Sequence, residues 1–233
     1  ALHGRDDVRH IICRDERNVA YMAAAYARLT NRIGVCDVTV GPGATKLPSG
    51  LMEAWCSSIP ILCIVSELSP GWRHLYQRGA ALQAMDQELL MQQFCKWTVT
   101  LTSPEEMETY LATALRRANT GRPGPVAVVI PDKVFDQTWE GEHPARQPRH
   151  ELGVFPLGRS GPDPEDVARA ASLLATAKRP FMLCGGGIHI SGAGEETRRL
   201  VEHLGVIWGN RDGADAAPLK TAVDQIQDGG VVG

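Results

Sequence analysis

The stretch that decides the fold covers residues 14–45 and reads RDERNVAYMAAAYARLTNRIGVCDVTVGPGAT. Its pattern predicts a helix beginning at Glu16, a strand over residues 33–40 and a turn at Gly41-Pro42-Gly43. Just ahead of it, the apolar run over residues 8–13 predicts another short strand. Glu16 is therefore expected where a strand ends and a helix begins, which is the edge at which open α/β sheets hold their sites.

Strands and helices alternate through the rest of the first half of the chain. The almost unbroken apolar run over residues 59–65 is typical of a central parallel strand covered on both faces. The polar, irregular segment 67–81 is expected to form an exposed loop. The fold class is thus predicted as α/β, a parallel sheet flanked by helices. The remaining predicted elements are helices over 44–58, 82–94 and 104–119 and strands over 97–101 and 125–130.

The composition shifts to Pro, His, Arg, Gly and Glu over residues 133–162, which is typical of a linker. We therefore predict a first domain over residues 1–132 and a second over 163–233. The second begins like a Rossmann-like α/β domain, with a helix, a strand over 181–184, the turn Gly185-Gly186-Gly187, a helix over 195–204 and a strand over 206–208. After about residue 208 the sequence turns small and polar, so we expect a truncated domain with a divergent tail.

The overall composition excludes several functional classes. With 24 basic and 27 acidic residues dispersed along the chain, there is no electrostatic footprint for nucleic acid or an anionic membrane. No apolar run approaches the ~20 residues of a membrane-spanning helix, and no signal peptide is visible. The six cysteines form no CxxC pair and are expected as free, mostly buried thiols in a cytoplasmic protein.

The residues that could carry chemistry give weak signals when taken singly. Glu16 alone is interpreted as a solvated acid in the first turn of a helix. The turn Gly41-Pro42-Gly43 could present N–H groups to an anion, and Gly185-Gly186-Gly187 could let a ligand approach the backbone, but both also simply turn the chain. Metal-binding and serine-hydrolase motifs are absent, so no metal is assigned to side chains of this sequence.

Several motifs occur in a telling order. Asp15-Glu16 precedes AYAR at 25–28, GVC at 34–36 and GPGATK at 41–46, and GRPGPV at 121–126 precedes IPD at 130–132. Leu82-Gln83, Lys96-Trp97 and the glycine turn within 180–191 complete the pattern. In this order the motifs resemble the thiamine-diphosphate enzymes of the acetolactate synthase family, specifically their N-terminal pyrimidine-binding domain, without its first strand and helix, and the start of their central domain.

The resemblance implies roles for the candidate residues. In that family the counterpart of Glu16 hydrogen-bonds the aminopyrimidine ring of the cofactor and activates it, so Glu16 is expected to be catalytic and cofactor-binding. Gly41, Pro42, Gly43 and Gln83 are expected on the thiamine diphosphate side, and Gly185, Gly186 and Gly187 near FAD or an ADP group. The implied reaction removes carbon dioxide from a 2-oxo acid such as pyruvate and transfers the two-carbon unit to a second carbonyl, as in branched-chain amino acid biosynthesis.

The sequence also departs from the family pattern. Asp15 replaces a usual histidine, Lys46 a usual asparagine and Ala25 a usual glycine, which puts the choice of substrate in question. The GDG motif with which the family binds Mg²⁺ and the diphosphate does not occur in these 233 residues. The chain is therefore expected to be a fragment that supplies half a site and is inactive alone.

Its expected partners are a small 2-oxo acid and either further copies, as a homodimer or homotetramer, or a relative that carries the diphosphate domain. Three alternatives stay open: a non-catalytic association module, a related thiamine-diphosphate decarboxylase or acetyltransferase, and a nucleotide-binding protein that uses the glycine turn at 185–187.

Overall fold

The computed structural model describes residues 7–76, 78–138, 141, 150–158 and 161–210. The chain divides into two compact units, residues 1–157 and residues 158–233. The division falls within the segment that the sequence predicts to be a linker.

The first unit is built on a four-stranded parallel sheet in the order β1-β2-β4-β3. The two central strands are the most buried, and all six residues of β4 are covered, as expected for a parallel sheet with helices on its faces. The predicted fold class is confirmed. The strands are β1 (Gly34–Val38), β2 (Ile61–Glu67), β3 (Trp97–Thr100) and β4 (Val126–Pro131); the helices are α1 (Arg17–Thr30), α2 (Pro42–Thr45), α3 (Pro48–Cys56), α4 (Arg73–Tyr76), α5 (Gln87–Gln92), α6 (Met107–Asn119) and α7 (Asp132–Phe135).

Helix α1 packs on β1 and α3 through residues without bulk. Ala20 and Ala27 are fully buried on its inner face. A Cβ added at Gly34 would collide with the backbone of Ala23, and one added at Gly50 would lie 2.6 Å from the Cβ of Ala20. The alanine-rich sequence of α1 is therefore matched by glycines on the two elements beneath it, and the backbones approach closely.

Two thiols face each other in the core of the sheet. Cys36 on β1 and Cys63 on β2 are register partners, their sulfur atoms are 3.4 Å apart, and both side chains are buried. The hydrogen bond with the Cys36 thiol and burial raise the pKa of Cys63, and burial also raises that of Cys95. All six cysteines lie in the described part of the chain and are free thiols there, as predicted.

Four sequence predictions about the elements were wrong. The segment 67–81 is not an exposed loop throughout, because Glu67 is buried at the end of β2 and α4 lies within the segment. Residues 8–13 form no strand: the described sheet ends at β1, and Ile12 is 85% exposed, because an apolar run needs a hydrogen-bonding neighbour to become a strand. The helix predicted over 44–58 is broken before α3, since Pro48 has no N–H and favours the first helical turn. The helix predicted over 82–94 begins only at α5, where Asp86 accepts a hydrogen bond from Leu89 N at 2.8 Å.

Part of the predicted linker packs against the first unit. A 3₁₀ turn at His150–Gly153 brings Gly153 O to Ile33 N at 2.8 Å and Phe155 N to Asn31 O at 3.1 Å. The side-chain amide of Asn119 donates to Leu152 O at 2.8 Å. These contacts connect residues 150–155 to the end of α1 and to α6, although the composition of 133–162 is that of a linker.

The second unit contains a parallel strand pair and three helices among its described residues. The bounds are α8 (Pro164–Thr176), β5 (Phe181–Cys184), α9 (Gly187–Ser191), α10 (Gly194–Leu204) and β6 (Ile207–Asn210), with β5 paired to β6. The predicted strand over 181–184 matches β5, and the predicted final strand corresponds to β6. The divergent tail predicted after about residue 208 falls, beyond residue 210, outside the described residues. In the described part of either unit, no helix is long and apolar enough to cross a membrane.

We expect Gly34→Ala to destabilise the first unit by about 1 to 3 kcal/mol, because its Cβ would press on the backbone of Ala23 and push α1 off the sheet. The matched control is Gly153→Ala, where an added Cβ meets nothing within 4 Å. The measurement is the free energy of unfolding in urea. Equal values for the two variants would show that the α1 contact is not tight.

Candidate functional site

Glu16 lies at the carboxyl edge of the sheet, beside the turn that follows β1. It is the residue before the first turn of α1, and its Oε2 accepts a hydrogen bond from Lys46 Nζ at 2.7 Å. Lys46 directly follows α2, so this contact connects the start of α1 with the turn after β1. Both side chains remain about 40% exposed, at 38% for Glu16 and 43% for Lys46, so a ligand can reach the carboxylate.

The electrostatics of this edge favour the ionised form of both neighbouring acids. The hydrogen bond from Lys46 lowers the pKa of Glu16, and the pKa of Lys46 is raised in turn. Next to it, Arg17 donates to both carboxylate oxygens of Asp15 and lowers its pKa to about 2. Each carboxylate therefore has its own cation, and the partner of Glu16 is Lys46, one of the residues at which the sequence departs from the family pattern.

The turn at 41–43 contacts the loop that carries Gln83. Gly41 has φ +56°, and a Cβ added there would collide with Gln83 O and lie 2.8 Å from Gln83 Cβ. Gln83 itself has φ +56°, which is uncommon for a residue with a side chain. The structure thus places Gln83 on Gly41, and the predicted thiamine-side residues of the first unit lie on neighbouring elements.

The same turn is poorly suited to hold an anion with its backbone. Pro42 has no N–H, Gly43 N donates to Val40 O at 3.4 Å, and Thr45 N donates to Gly41 O at 3.0 Å. The N–H groups of Gly43 and Thr45 therefore bond within the turn and α2. The need for glycine at position 41 comes from its backbone angle and from the approach of Gln83.

The predicted glycine turn of the second unit follows β5. Gly185 comes after the strand, Gly186 precedes the helix and Gly187 is the first residue of α9. A Cβ added at Gly185 or Gly187 would meet nothing within 4 Å, so packing within the described residues does not require glycine at either position. A role in binding FAD or an ADP group stays a prediction. Within the described ranges, no cluster of three or more His, Cys, Asp or Glu side chains is arranged to hold a metal ion.

Glu67 is the residue that sequence reasoning missed. It ends β2 at the carboxyl edge of the sheet and is only 5% exposed. Burial raises the pKa of its carboxyl group, although three donors hydrogen-bond it. The available signal was a carboxylate directly after a central apolar strand, at the edge where such sheets hold their sites.

Comparison with known proteins identifies the family. Residues 1–94 match the family described as thiamine pyrophosphate enzyme, N-terminal TPP binding domain, and residues 167–210 match the central domain of such enzymes. The chain belongs to the thiamine pyrophosphate enzyme family. The resemblance predicted from the motifs is thereby confirmed.

Individual relatives cover most of the chain. It is 33% identical over 206 residues to the acetolactate synthase large subunit of Corynebacterium glutamicum, a match that spans 88% of this chain and 32% of that protein. It is 33% identical over 198 residues to a probable acetolactate synthase large subunit of Methanocaldococcus jannaschii, spanning 85% and 33%. A probable 2-ketoarginine decarboxylase of Pseudomonas aeruginosa is 31% identical over 221 residues, spanning 93% and 35%. The chain thus spans about a third of the length of the curated relatives it matches.

We expect Lys46→Gln to raise the pKa of Glu16 toward its usual value, because the ammonium group that favours the carboxylate is lost. Folding lowers the pKa of Glu16, so its ion pair with Lys46 stabilises the folded chain at pH values above the pKa of Glu16 in the unfolded state. This stabilisation is lost as the pH falls through the pKa of Glu16 in the folded state. The measurement is an NMR titration of the Glu16 carboxyl carbon.

The matched control for this titration is Arg17→Gln. It should raise the pKa of Asp15 from about 2 and leave the pKa of Glu16 low. An unchanged Glu16 pKa in Lys46→Gln would contradict the assignment of Lys46 as its partner.

Proposed function

We propose that this chain supplies the pyrimidine-binding side of a thiamine diphosphate site in which Glu16 is the catalytic carboxylate. The observation that carries the proposal is the position of Glu16 in a chain of this family: an accessible carboxylate at the carboxyl edge of the sheet, ion-paired to the residue that follows the GPGAT turn. The adjacent contact of Gly41 with Gln83 adds a polar side chain from the neighbouring loop.

The residues at this edge fit an aminopyrimidine ring. A carboxyl group next to a ring nitrogen can hold or pass a proton there, which is the role proposed for Glu16. Lys46 keeps that carboxylate ionised and oriented until a ligand arrives, and Gln83 offers an amide to the ring or the substrate. Bound thiamine diphosphate would supply a nucleophilic carbon for the carbonyl group of a 2-oxo acid, whose carboxylate then leaves as carbon dioxide.

The names of the relatives support the proposed substrate class. Two of those described above are acetolactate synthases, named or probable, and the third is named as a probable decarboxylase of 2-ketoarginine. We therefore propose decarboxylation of a 2-oxo acid and, more specifically, carboligation of the resulting two-carbon unit from pyruvate to a second carbonyl. Decarboxylation without carboligation is the alternative supported by the third relative.

The chain is proposed to act with a partner. Family members hold the diphosphate and Mg²⁺ through a GDG motif that does not occur in these 233 residues, so those groups would be bound by residues outside them, in a homodimer, a homotetramer or a heteromer with a longer relative. The outer face of α1 supports an association surface, because large side chains lie exposed along it: Tyr21, Met22, Tyr26 and Leu29. FAD at Gly185, Gly186 and Gly187 is the corresponding proposal for the second unit.

We expect Glu16→Gln to weaken thiamine diphosphate binding by at least about tenfold, because a carboxamide cannot hold or pass a proton at the ring nitrogen as a carboxyl group can. The measurement is calorimetric titration with thiamine diphosphate and Mg²⁺. Glu53→Gln, which changes an exposed carboxylate on α3, is the matched control and should bind like the unchanged chain.

Trans-complementation tests the catalytic role separately. The chain is mixed with the Corynebacterium glutamicum relative whose corresponding glutamate has been replaced by glutamine, and acetolactate formation from pyruvate is measured. The chain alone should form no product, the mixture should form acetolactate, and the mixture containing Glu16→Gln should not. Association without product would favour the non-catalytic association module.

We expect Tyr26→Arg to weaken association with that relative by about tenfold or more, because a charge would be buried in the proposed contact. The measurement is co-elution in size-exclusion chromatography over a concentration series. Val167→Arg, at an exposed apolar position on α8, is the control. Equal association of the two variants would place the contact elsewhere.

A further inference from the structure

We infer that Glu67 is a positioning residue: its carboxylate fastens the β2–α5 segment, residues 68–76 and 78–86, and thereby holds Gln83 against Gly41. Only the significance of Gln83 for a ligand rests on the function proposed above. The fastening itself is a property of this chain and is tested without any ligand.

The carboxylate of Glu67 receives a donor from the beginning, the middle and the end of this part of the chain. Its Oε1 accepts from Leu68 N at 2.8 Å and from the Tyr76 hydroxyl at 3.1 Å, and its Oε2 accepts from Gln87 N at 3.0 Å. Leu68 opens the segment, Tyr76 ends the short helix α4 within it, and Gln87 begins α5 after it. One buried group thus closes the segment into a loop whose two ends meet at the last residue of β2.

The hydrogen bonds to Glu67 are strong enough to hold the segment in place, so they are more than an incidental contact. Hydrogen bonds to a carboxylate are shorter and stronger than neutral ones, and Glu67 is almost completely shielded from water. The bond to Gln87 N also satisfies an N–H in the first turn of α5, next to the Asp86 cap on Leu89 N. Without Glu67, the start of α5 would lose one of its two carboxylate acceptors.

The segment carries a residue that needs to be held. Gln83 has φ +56° and lies against Gly41, so it occupies a backbone conformation that a residue with a side chain adopts at a cost. Such a conformation persists only where the surroundings determine it. The Glu67 bonds on either side of Gln83, to Tyr76 and to Gln87, are surroundings of that kind.

The titration of Glu67 makes the free energy of unfolding depend on pH, which a change in packing alone would not do. Burial raises the pKa of Glu67, and the carboxylate of Asp86 on the neighbouring turn raises it further. The facing titratable groups are the Tyr76 hydroxyl from α4 and Asp86 ahead of α5, while Asp132 at the start of α7 is bonded to Ser69. A folded-state pKa above the unfolded one means that protonation favours the fold, so stability falls as the pH rises through the folded value.

The decisive experiment is limited trypsin digestion of the full chain with the variant Glu67→Gln. A glutamine keeps the size of the side chain but sets an NH₂ donor against either Gln87 N or the Leu68 and Tyr76 donors. Cleavage after Arg78, an exposed residue in the segment, should become about tenfold faster, as expected when a charge-assisted hydrogen bond is lost. Cleavage after Arg28 in α1 should keep its rate.

Glu88→Gln is the matched control, because Glu88 is the next carboxylate along α5 and bonds Thr100 on β3 instead of the segment. It should leave cleavage after Arg78 unchanged. An unchanged rate in Glu67→Gln, or equal acceleration by both variants at Arg28 and Arg78, would overturn the inference. If Glu67→Gln does not fold, Tyr76→Phe takes its place and should accelerate cleavage after Arg78 severalfold. An unchanged cleavage rate in Tyr76→Phe would then contradict the inference.

The pH readout compares the free energy of unfolding of the unchanged chain and Glu67→Gln from pH 4 upward. The variant should gain stability relative to the unchanged chain as the pH rises, since it lacks the group whose ionisation is disfavoured in the fold. A constant difference would contradict the role of the buried carboxylate. The trans-complementation assay then separates the two proposals: no acetolactate from the mixture with the unchanged chain defeats the proposed function, whereas the digestion alone decides the role of Glu67.

Discussion

The close approach of α1 to the sheet is the constraint on which the rest of the first unit depends. It exists because Gly34 and Gly50 have no side chains where the backbone and small side chains of α1 pass. Because α1 lies this close to β1, its first residues lie at the carboxyl edge of the sheet. Glu16 can therefore reach Lys46, which lies thirty positions later in the sequence.

Two of the carboxylates at that edge have opposite properties. Glu16 is accessible, and a lysine lowers its pKa, whereas Glu67 is buried and its pKa is raised by desolvation. Environments that push the pKa values of neighbouring acids apart are a common feature of functional sites. Here the difference separates two tasks: the exposed acid can meet a ligand, and the buried acid supports the loop beside it.

The sequence was sufficient for the architecture and insufficient for the local geometry. The apolar run at 59–65 and the small-residue helix at 17–30 predicted the parallel sheet, because burial on two faces leaves a clear pattern. Residues 8–13 are apolar apart from Arg9 and His10 and form no strand, since a strand depends on a neighbour that no local pattern reveals. The breaks at Pro48 and Asp86 were readable from turn chemistry and were overlooked.

The candidate site could likewise be predicted only in part from the sequence. Glu16 and the turn at 41–43 stood out through their order in the chain, which is one-dimensional information. The partner relation of Lys46 to Glu16 and the contact of Gln83 with Gly41 are relations across the fold, and neither leaves a spacing in the sequence. Glu67 was missed for a related reason: a carboxylate after a central strand is a weak signal in the sequence, and the burial that makes it distinctive is visible only in the fold.

The facing pair Cys36 and Cys63 has a consequence for the ageing of this protein. Oxidants and alkylating reagents attack thiolates, and burial with a raised pKa keeps the Cys63 thiol protonated and out of reach. Chemical damage at this pair therefore requires the first unit to open far enough to expose the two thiols. The rate at which reagents modify Cys36 and Cys63 would therefore report how often the first unit opens.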